Sequence, residues 1–420
     1  MKRILGGALL IVAAALWFNN DFLYDPTPPM GALSDHVGIM RGYRQTHSFS
    51  DTLTWWHGPW IHEHYPSLRP LSSYLMWLDV WVGENVGWMA TAWITFFMLC
   101  AVCLMVAALA WCLSKSECVA LLAGVLATHI APQVPLLAGV GNGLPNHFYA
   151  VQDNYLAIAF TLASMCAFLK WRESDNRRHL ATAWLCALAA FLSKELSYVL
   201  PAMLFALAVL PARVGRKRAA LQSLLMLCLA ASIFLFRAAV VQSPHDSAHR
   251  LQSLNIVMWQ SYYHWAPATP YEVLFVVDFG AALYALLVYA GLGAALYYRR
   301  ELMIVSRRHG VLLMQIAVLW CCVQLSYLPV MGYHFERFHG VPAGTHYVLP
   351  AVFLGCILTA VTVQLAARIL RDIQRAVKLN LARSEVSGVD VVDVGIKLNV
   401  AICARCGHRD VVPERGSPAG

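Results

Sequence analysis

The chain has 420 residues, of which 59% are hydrophobic and only 13% are charged, with a mean hydropathy of +0.57. A soluble domain carries about 25% charged residues, so this composition excludes an ordinary soluble enzyme. The formal charge of +8 does not indicate a nucleic-acid-binding protein, because the basic residues lie between apolar segments of membrane-spanning length. We therefore expect an all-α polytopic membrane protein, with a bacterial inner membrane as its location.

Basic residues cluster between the apolar segments and predict the topology. The positive-inside rule places every cluster on the cytoplasmic side, so two neighbouring clusters enclose two crossings. The clusters are Lys2 and Arg3; Lys115; Lys170, Arg172, Arg177 and Arg178; Arg213, Arg216, Lys217 and Arg218; Arg299, Arg300, Arg307 and Arg308; and Arg368, Arg371, Arg375 and Lys378. We predict about ten spans with both termini in the cytoplasm, near residues 4–18, 87–113, 118–136, 154–170, 180–193, 196–211, 219–241, 272–298, 311–330 and 346–367.

The first predicted span also fits a signal peptide, since Lys2 and Arg3 precede an apolar run. The further spans and the parity of the basic clusters favour an uncleaved helix. The loop that follows, residues 19–86, is the longest between predicted spans and lies on the extracytoplasmic side. Within it, residues 69–83 predict an amphipathic helix at the membrane interface, because apolar residues recur at helical spacing. These residues are Leu71, Leu75, Leu78 and Val82, with Trp77 and Trp81 beside them.

Residues 188–210, LAAFLSKELSYVLPAMLFALAVL, carry two charges in an apolar stretch, Lys194 and Glu195. Basic clusters flank this region on both sides, so a single crossing would leave one cluster outside. We predict a helical hairpin with its turn at 193–195. Each arm of about 14 residues spans roughly 21 Å, less than a hydrocarbon core of ~30 Å, so the turn is recessed. Two interpretations stay open: a mutual Lys194–Glu195 salt bridge, or a cationic ligand site.

Four segments of the sequence together resemble one enzyme family. They are HYPSLRPLSSYLMWLDVWVGENVGW, ATHIAPQVPLLAGVGNG with VQDNYLAIAFTLAS, LAAFLSKELSYVLPAML, and HFERFHGVPAGTHYVLP. In order and sidedness they are similar to the membrane region of protein O-mannosyltransferases that carry tetratricopeptide repeats, which belong to the GT-C superfamily of glycosyltransferases. The resemblance covers residues 1–367 and leaves 368–420 as a cytosolic tail. It implies transfer of a hexose from a polyprenyl-phosphate donor to a protein, lipid or glycan acceptor on the extracytoplasmic face.

The resemblance also implies a catalytic carboxylate just after the first span. Such an enzyme needs one carboxylate to accept the proton of the acceptor hydroxyl. The acidic pair of the family falls on NNDFLYDPTPP, where Asp25 takes the first position and Pro26 replaces the second acid. Asp21 or Asp35 is the alternative source of the second charge. Two other interpretations stay open: catalysis is lost in this protein, or Asp25 and Pro26 only start a turn.

Cations are expected to hold the donor phosphate. Lys194 is the predicted phosphate clamp, with Glu195 orienting it. Arg337 matches a late arginine of the family, and its alternative is a residue that snorkels to the interface. Arg69 is expected to anchor the amphipathic helix, and contact with the donor phosphate is the second interpretation. Asp153 matches a loop acid of the family, although the arginine pattern before it is missing.

Metal binding is only weakly indicated, so a divalent metal stays an open alternative as cofactor. The tail motif CARCGH suits zinc, but a structural zinc site needs four ligands, and a tail that binds no metal is the alternative. The residues concerned are Cys403, Cys406 and His408 in the tail, and His57, His62 and His64 in the first loop. In the eighth predicted span, Asp278 requires a partner inside the membrane, for which Arg237 is the candidate.

Two other functions remain open beside the transferase. The same lysine and arginine suit a transporter or flippase for an anionic lipid-linked substrate, and an inactive GT-C-like scaffold would also fit the Pro26 departure. Transporters often contain inverted repeats and interrupted helices. No internal repeat is evident in the sequence, and the polar loop residues fall on one predicted face, which favours the enzyme.

Overall fold

The structure is a computed structural model. It describes residues 2–19, 34–58, 61, 68–137, 152–240, 299–326, 337–338, 341–342 and 349–387. Only the backbone is described for residues 2–4, 34–37, 88, 130–137, 238, 299–308, 373, 376–387 and the two strands. Several predictions therefore lie outside the described residues. They concern Asp21, Asp25, Pro26, His62, His64, Asp278, Cys403, Cys406, His408 and the predicted span at 272–298.

The described residues form twelve α-helices and one pair of two-residue strands. The helices of the first half are α1 (Lys2–Phe18), α2 (Ser34–Gln45), α3 (Phe49–Thr52), α4 (Pro70–Asn85), α5 (Trp88–Ser114) and α6 (Glu117–Leu137). Those of the second half are α7 (Gln152–Ser174), α8 (Arg177–Ser193), α9 (Leu200–Leu207), α10 (Arg216–Val240), α11 (Arg299–Ser326) and α12 (Leu349–Ser387). Short 3₁₀-helices cover Leu53–Trp56 and Glu195–Val199, and β1 (Arg337–Phe338) pairs antiparallel with β2 (Val341–Pro342).

Five described helices are long and apolar enough to cross a membrane, as expected for a multi-pass membrane protein. They are Met89–Ser114, Gln152–Ser174, Arg216–Arg237, His309–Ser326 and Leu349–Asp372. Three further predicted crossings coincide with shorter apolar helices, at Leu5–Phe18, Glu117–His129 and Glu195–Leu207. The prediction of an all-α fold with several membrane spans is therefore confirmed, whereas the count of about ten stays a prediction.

The chain divides into two units. The first comprises residues 1–289 and 311–362, and the second comprises 290–310 and 363–420. In the second unit, His309 Nε2 lies 3.2 Å from Asp372 Oδ2. Helix α12 continues through residue 367, where the sequence analysis ends the membrane domain, and reaches Ser387.

Tight turns produce antiparallel helix pairs in the first unit. Lys115 (φ 54°) ends α5 and Asp175 (φ 56°) follows α7, both with a left-handed backbone that stops a helix. Asn176 then caps α8 by accepting a hydrogen bond from the backbone N–H of Arg178 at 2.9 Å. As a result α5 packs against α6 and α7 against α8, while α5 also packs on α7.

The core of the first unit lies between α5, α7 and the first half of α12. Phe96, Leu99, Phe168 and Phe353 are among its largest fully buried side chains. Helix α1 approaches α6 closely at Gly124, where an added Cβ would lie 2.6 Å from Ile11 Cδ1. Small residues at such contacts let membrane helices approach each other closely.

The chain reverses at Lys194, as the hairpin prediction requires. Near the end of α7, the guanidinium of Arg172 donates to the carbonyl oxygens of Leu207 (2.6 Å) and Leu210 (2.7 Å). At the start of α7, Asp153 accepts a hydrogen bond from Lys194. Residues 195–210 therefore return antiparallel to α8. The extended backbone of Lys194 (φ −159°, ψ 148°) breaks the helix, and Pro201, which has no N–H to leave unpaired, opens α9.

Helix α4 forms where the sequence predicts an amphipathic helix, and the face that it buries in the protein includes polar residues. Ser72, Ser73, Met76, Asp79, Val80 and Gly83 are buried, whereas the predicted leucine stripe is half-buried and its Leu78 is exposed. The polar residues point inward because they have partners there. The Ser72 hydroxyl donates to the carbonyl of Ser193 at 2.7 Å, and the Gln152 amide donates to Asp79 Oδ1 at 3.0 Å. These bonds attach α4 to the Lys194 turn and to α7.

Candidate functional site

Five charged side chains meet at the Asp153 end of α7, and we call them the five-charge network. In order of contact they are Lys194, Asp153, Arg69, Glu195 and Arg237. Cations and carboxylates alternate along this order, so each carboxylate lies between two cations. The residues come from α4, α7, the turn after α8, and α10, which are far apart in sequence. All belong to the first unit.

Asp153 joins the lysine to the first arginine. Its Oδ2 lies 2.7 Å from Lys194 Nζ and 3.3 Å from Arg69 Nη1. Its second oxygen, Oδ1, is buried and has no hydrogen-bond partner among the described residues. A buried polar atom of this kind is uncommon in folded proteins and is often explained by a functional role.

Glu195 joins the two arginines. Arg69 Nε lies 3.0 Å from Oε1 and 2.9 Å from Oε2, and Arg69 Nη2 lies 2.6 Å from Oε2. From the other side, Arg237 Nη1 lies 2.9 Å from Oε1. Planar guanidinium groups match a carboxylate or a phosphate in this side-on geometry. The carboxylate of Glu195 therefore already places an oxyanion between the guanidinium groups of Arg69 and Arg237.

Burial differs along the network and indicates where a ligand would enter. The side chains of Asp153, Lys194 and Arg237 are 3%, 5% and 6% exposed, whereas Arg69 is 12% and Glu195 is 19% exposed. Buried charges without partners are costly, so the alternation of sign explains how five of them share one site. The most accessible contact in the network is the one between Arg69 and Glu195.

Local structure explains how each residue reaches the site. Arg69 is the residue before α4, where the following proline disfavours the helical conformation and the backbone is non-helical (φ −139°, ψ 63°). Asp153 lies in the first turn of α7, where the helix N-terminus favours a carboxylate, and Arg237 lies in the last turn of α10, where a cation is favoured. Lys194 lies between α8 and the 3₁₀-helix, and Glu195 is the first residue of that 3₁₀-helix.

A second group of buried polar residues, Asp79, Thr95 and Gln152, adjoins the network, since Gln152 precedes Asp153. The Gln152 amide donates to Asp79 Oδ1 at 3.0 Å and to the Thr95 hydroxyl at 2.6 Å. Burial raises the pKa of Asp79 to about 7, although the hydrogen bond from Gln152 opposes this shift. Asp79 thus differs from Asp153 in its donor. Asp79 accepts from the amide of Gln152, whereas Asp153 accepts from the cations Lys194 and Arg69.

The structure brings together four residues singled out from the sequence: Lys194, Glu195, Arg69 and Asp153. The pairing differs from expectation, because the Lys194 ammonium donates its hydrogen bond to Asp153, while Glu195 accepts from the arginines. Arg237 was missed as a member of this site. Sequence reasoning considered it only as a partner for Asp278, although its position at the end of a span on the Lys194 side was a usable signal.

The remaining predicted residues are not placed in the network. Only the backbone of Arg337 is described, in β1, and only the backbone of Asp35, in α2. Asp21 and Asp25 lie outside the described residues, so their catalytic role stays a prediction. Among the residues that the structure describes, no group of three or more His, Cys, Asp or Glu side chains is arranged to hold a metal ion.

Comparison of the chain with protein-family models, with curated proteins and with solved structures gives no significant match. The likeness to GT-C enzymes thus rests on the motifs alone, and the function must be argued from the site. Three cations around two carboxylates provide no described nucleophile. The chemistry they suit is the binding of an anion such as phosphate.

Proposed function

We propose that the protein is an integral-membrane glycosyltransferase, which moves a sugar from a polyprenyl-phosphate donor to an acceptor at the membrane face where the Lys194 turn lies. The proposal includes the GT-C-like fold, the ten-span topology and the placement of that face outside the cytoplasm. The observation that carries it is the convergence of Lys194, Arg69 and Arg237 at the end of a membrane helix bundle. Buried ionisable residues in membrane proteins generally mark functional sites.

The reaction requires little of the protein besides positioning and charge. The acceptor hydroxyl oxygen attacks the anomeric carbon, and the bond between that carbon and the phosphate oxygen breaks. The leaving group departs as polyprenyl phosphate, already an anion, so no acid is needed to protonate it. The hydroxyl proton passes to a carboxylate, for which Asp25 is the first candidate and Asp21 and Asp35 are the others. Cations near the phosphate stabilise the charge that develops on it.

Donor binding at the five-charge network involves exchange of one anion for another. Glu195 occupies the position between Arg69 and Arg237 that a phosphate would take, and it is the most exposed member of the network. A phosphate group offers more oxygens and more charge to two guanidinium groups than a carboxylate does. In the proposed complex the phosphate contacts Arg69 and Arg237 from the exposed side. Lys194, held by Asp153, contributes positive potential from beneath.

The direct test is a transfer assay with purified protein in liposomes, polyprenyl-phosphate sugars and a panel of peptide, lipid and glycan acceptors. Sugar transfer that is lost in Asp25→Asn, while folding and insertion persist, supports the proposal. If wild-type protein shows no transfer but moves the donor lipid between leaflets, the flippase alternative replaces it. If neither activity occurs and the donor lipid does not bind, the protein is not a transferase of this class.

A further inference from the structure

The second region of interest is the small folded body formed by α2, α3, the following 3₁₀-helix and α4, which we call the α2–α4 platform. It has its own apolar core of Ile39, Trp55, Ile61, Met76 and Val80. Packing is close: an added Cβ at Gly42 would lie 1.8 Å from the carbonyl oxygen of Ile61. The platform is thus folded, and its exposed side chains are not simply those of a loose loop.

Large apolar side chains remain exposed on this platform. Phe49 is 75% exposed, Leu53 49%, Trp56 41%, and Leu78 and Trp81 are each 43% exposed. We call these five residues the apolar ridge. Single exposed apolar residues are ordinary, but five large ones on one small folded body are typical of a surface that contacts another apolar phase.

The five ridge residues lie in two stripes, and the half-buried Tyr74 connects the two. Phe49, Leu53 and Trp56 follow one another at spacings of four and three residues along α3 and the 3₁₀-helix, and Tyr74, Leu78 and Trp81 do the same along α4. The Trp56 indole N–H donates to the Tyr74 hydroxyl at 3.1 Å, which connects the stripes.

The position of the platform favours lipid as its partner. Helix α4 ends at Asn85 and the candidate span begins at Met89, so few residues separate the ridge from the membrane. The linking residue Val86 is 69% exposed and Met89 is 48% exposed, so exposed apolar side chains also occupy the link and the start of the span. Tryptophan, phenylalanine and leucine on one face are typical of segments that lie at a membrane boundary.

A polar surface on the same platform gives the docking an orientation. Arg41, Arg44 and Gln45 on α2 are exposed, and Arg44 forms an exposed ion pair with Glu84 at 3.8 Å. The exposed side chains described on α2 are thus all polar, whereas α3, the following 3₁₀-helix and α4 carry the apolar ridge together with the carboxylates of Asp51 and Glu84. A monotopic segment of this kind inserts its apolar side chains into lipid and leaves its polar helix in water.

We propose that the apolar ridge inserts into the membrane leaflet beside the Lys194 turn and thereby docks the α2–α4 platform on lipid. This inference does not depend on sugar transfer. Because Arg69 precedes α4 directly, lipid docking of the platform also fixes the position of the five-charge network relative to the lipid headgroups.

Site-specific spin labelling tests the proposal in the full-length protein. A ketone-bearing phenylalanine analogue at position 49, 53 or 45 is coupled to a nitroxide, which leaves the native cysteines unmodified. The labelled proteins are reconstituted in vesicles of phosphatidylethanolamine and phosphatidylglycerol. Power saturation then compares collision with oxygen, which concentrates in lipid, and with a water-soluble nickel complex.

We expect labels at positions 49 and 53 to collide more with oxygen than with nickel, and the control label at position 45 to show the reverse. Equal nickel accessibility at all three positions would overturn the proposal. So would protection from both reagents with a short distance between two labels at position 49, since that result assigns the ridge to a contact between copies of the chain. Neither result bears on the transfer assay, so the two proposals can fail separately.

Discussion

The two ends of α7 carry similar charged residues in different environments. At the Asp153 end, the network side chains are 3–19% exposed. At the other end, Lys115 pairs with Glu173 and Arg218 pairs with Asp175 at 2.9 Å, with side chains 40–52% exposed. Exposed pairs contribute about 0–1 kcal/mol, whereas loss of one partner from a buried pair costs about 3–5 kcal/mol. Ion pairs therefore stabilise the fold at the Asp153 end and contribute little at the other end, where the buried Arg172 is bonded to two backbone carbonyls.

The largest expected effect comes from removing a carboxylate at the buried end. Asp153→Asn takes the negative charge from Lys194 and Arg69, so we expect a loss of about 3–5 kcal/mol in unfolding free energy. Thermal or denaturant unfolding in detergent measures it. The matched control is Asp175→Asn at the exposed end, where asparagine also tolerates the left-handed backbone. Equal losses in the two variants would refute the distinction between the ends.

Donor binding should show the next largest difference. Lys194→Met keeps most of the volume of the side chain but removes its charge, and we expect the affinity for polyprenyl phosphate to fall about tenfold, or about 1.4 kcal/mol, because the positive potential beneath the phosphate is lost. Lys115→Met at the exposed end is the control and should leave binding unchanged. Titration of the lipid into protein in nanodiscs measures both. An unchanged affinity in Lys194→Met would mean that the turn serves structure alone.

Asp79 sharpens the comparison, because it is a buried carboxylate bonded to an amide. Its pKa of about 7 lies above the ordinary value of 3.8, so the folded state binds more protons than the unfolded state between these values. Stability should therefore fall as the pH rises from about 4 to 7, by at most about 1.4 kcal/mol per pH unit. Asp79→Asn keeps an acceptor for Gln152 and should flatten this dependence. A variant with the wild-type pH profile would exclude Asp79 as its source.

The smallest effect is expected for salt at the exposed end. Raising the ionic strength screens the Arg218–Asp175 pair, so the stability difference between wild type and Asp175→Asn, below about 1 kcal/mol at low salt, should vanish near 1 M. The Asp153→Asn difference should persist, because buried pairs are screened much less. Unfolding curves at low and high salt compare the two directly. A salt-insensitive difference at Asp175 would show that this pair is stronger than its exposure indicates.

The sequence predicted the reversal at Lys194 because charge parity on the two sides of residues 180–210 permits no single crossing. It could not predict the partner of the lysine. Glu195 is its neighbour along the chain, but successive residues at a turn point apart, and Asp153 reaches Lys194 only after α7 and α8 pack. Helix α4 shows a similar limit: hydropathy predicts its apolar stripe, but it does not predict that hydrogen bonds to Ser193 and from Gln152 bury Ser72 and Asp79. The partner of a buried charge and the buried face of a helix both depend on residues that are distant in the sequence. The local pattern of apolar and charged residues does not contain this information.

The order of the five-charge network along the chain bears on how the protein is made. Arg69 and Asp153 leave the ribosome before Lys194 and Glu195, and Arg237 leaves last. When the hairpin enters the bilayer, a carboxylate for the lysine and a guanidinium for the glutamate have already been synthesised. Only Arg237, the second arginine partner of Glu195, is still to come, and the two cations and two carboxylates made before it already balance in charge.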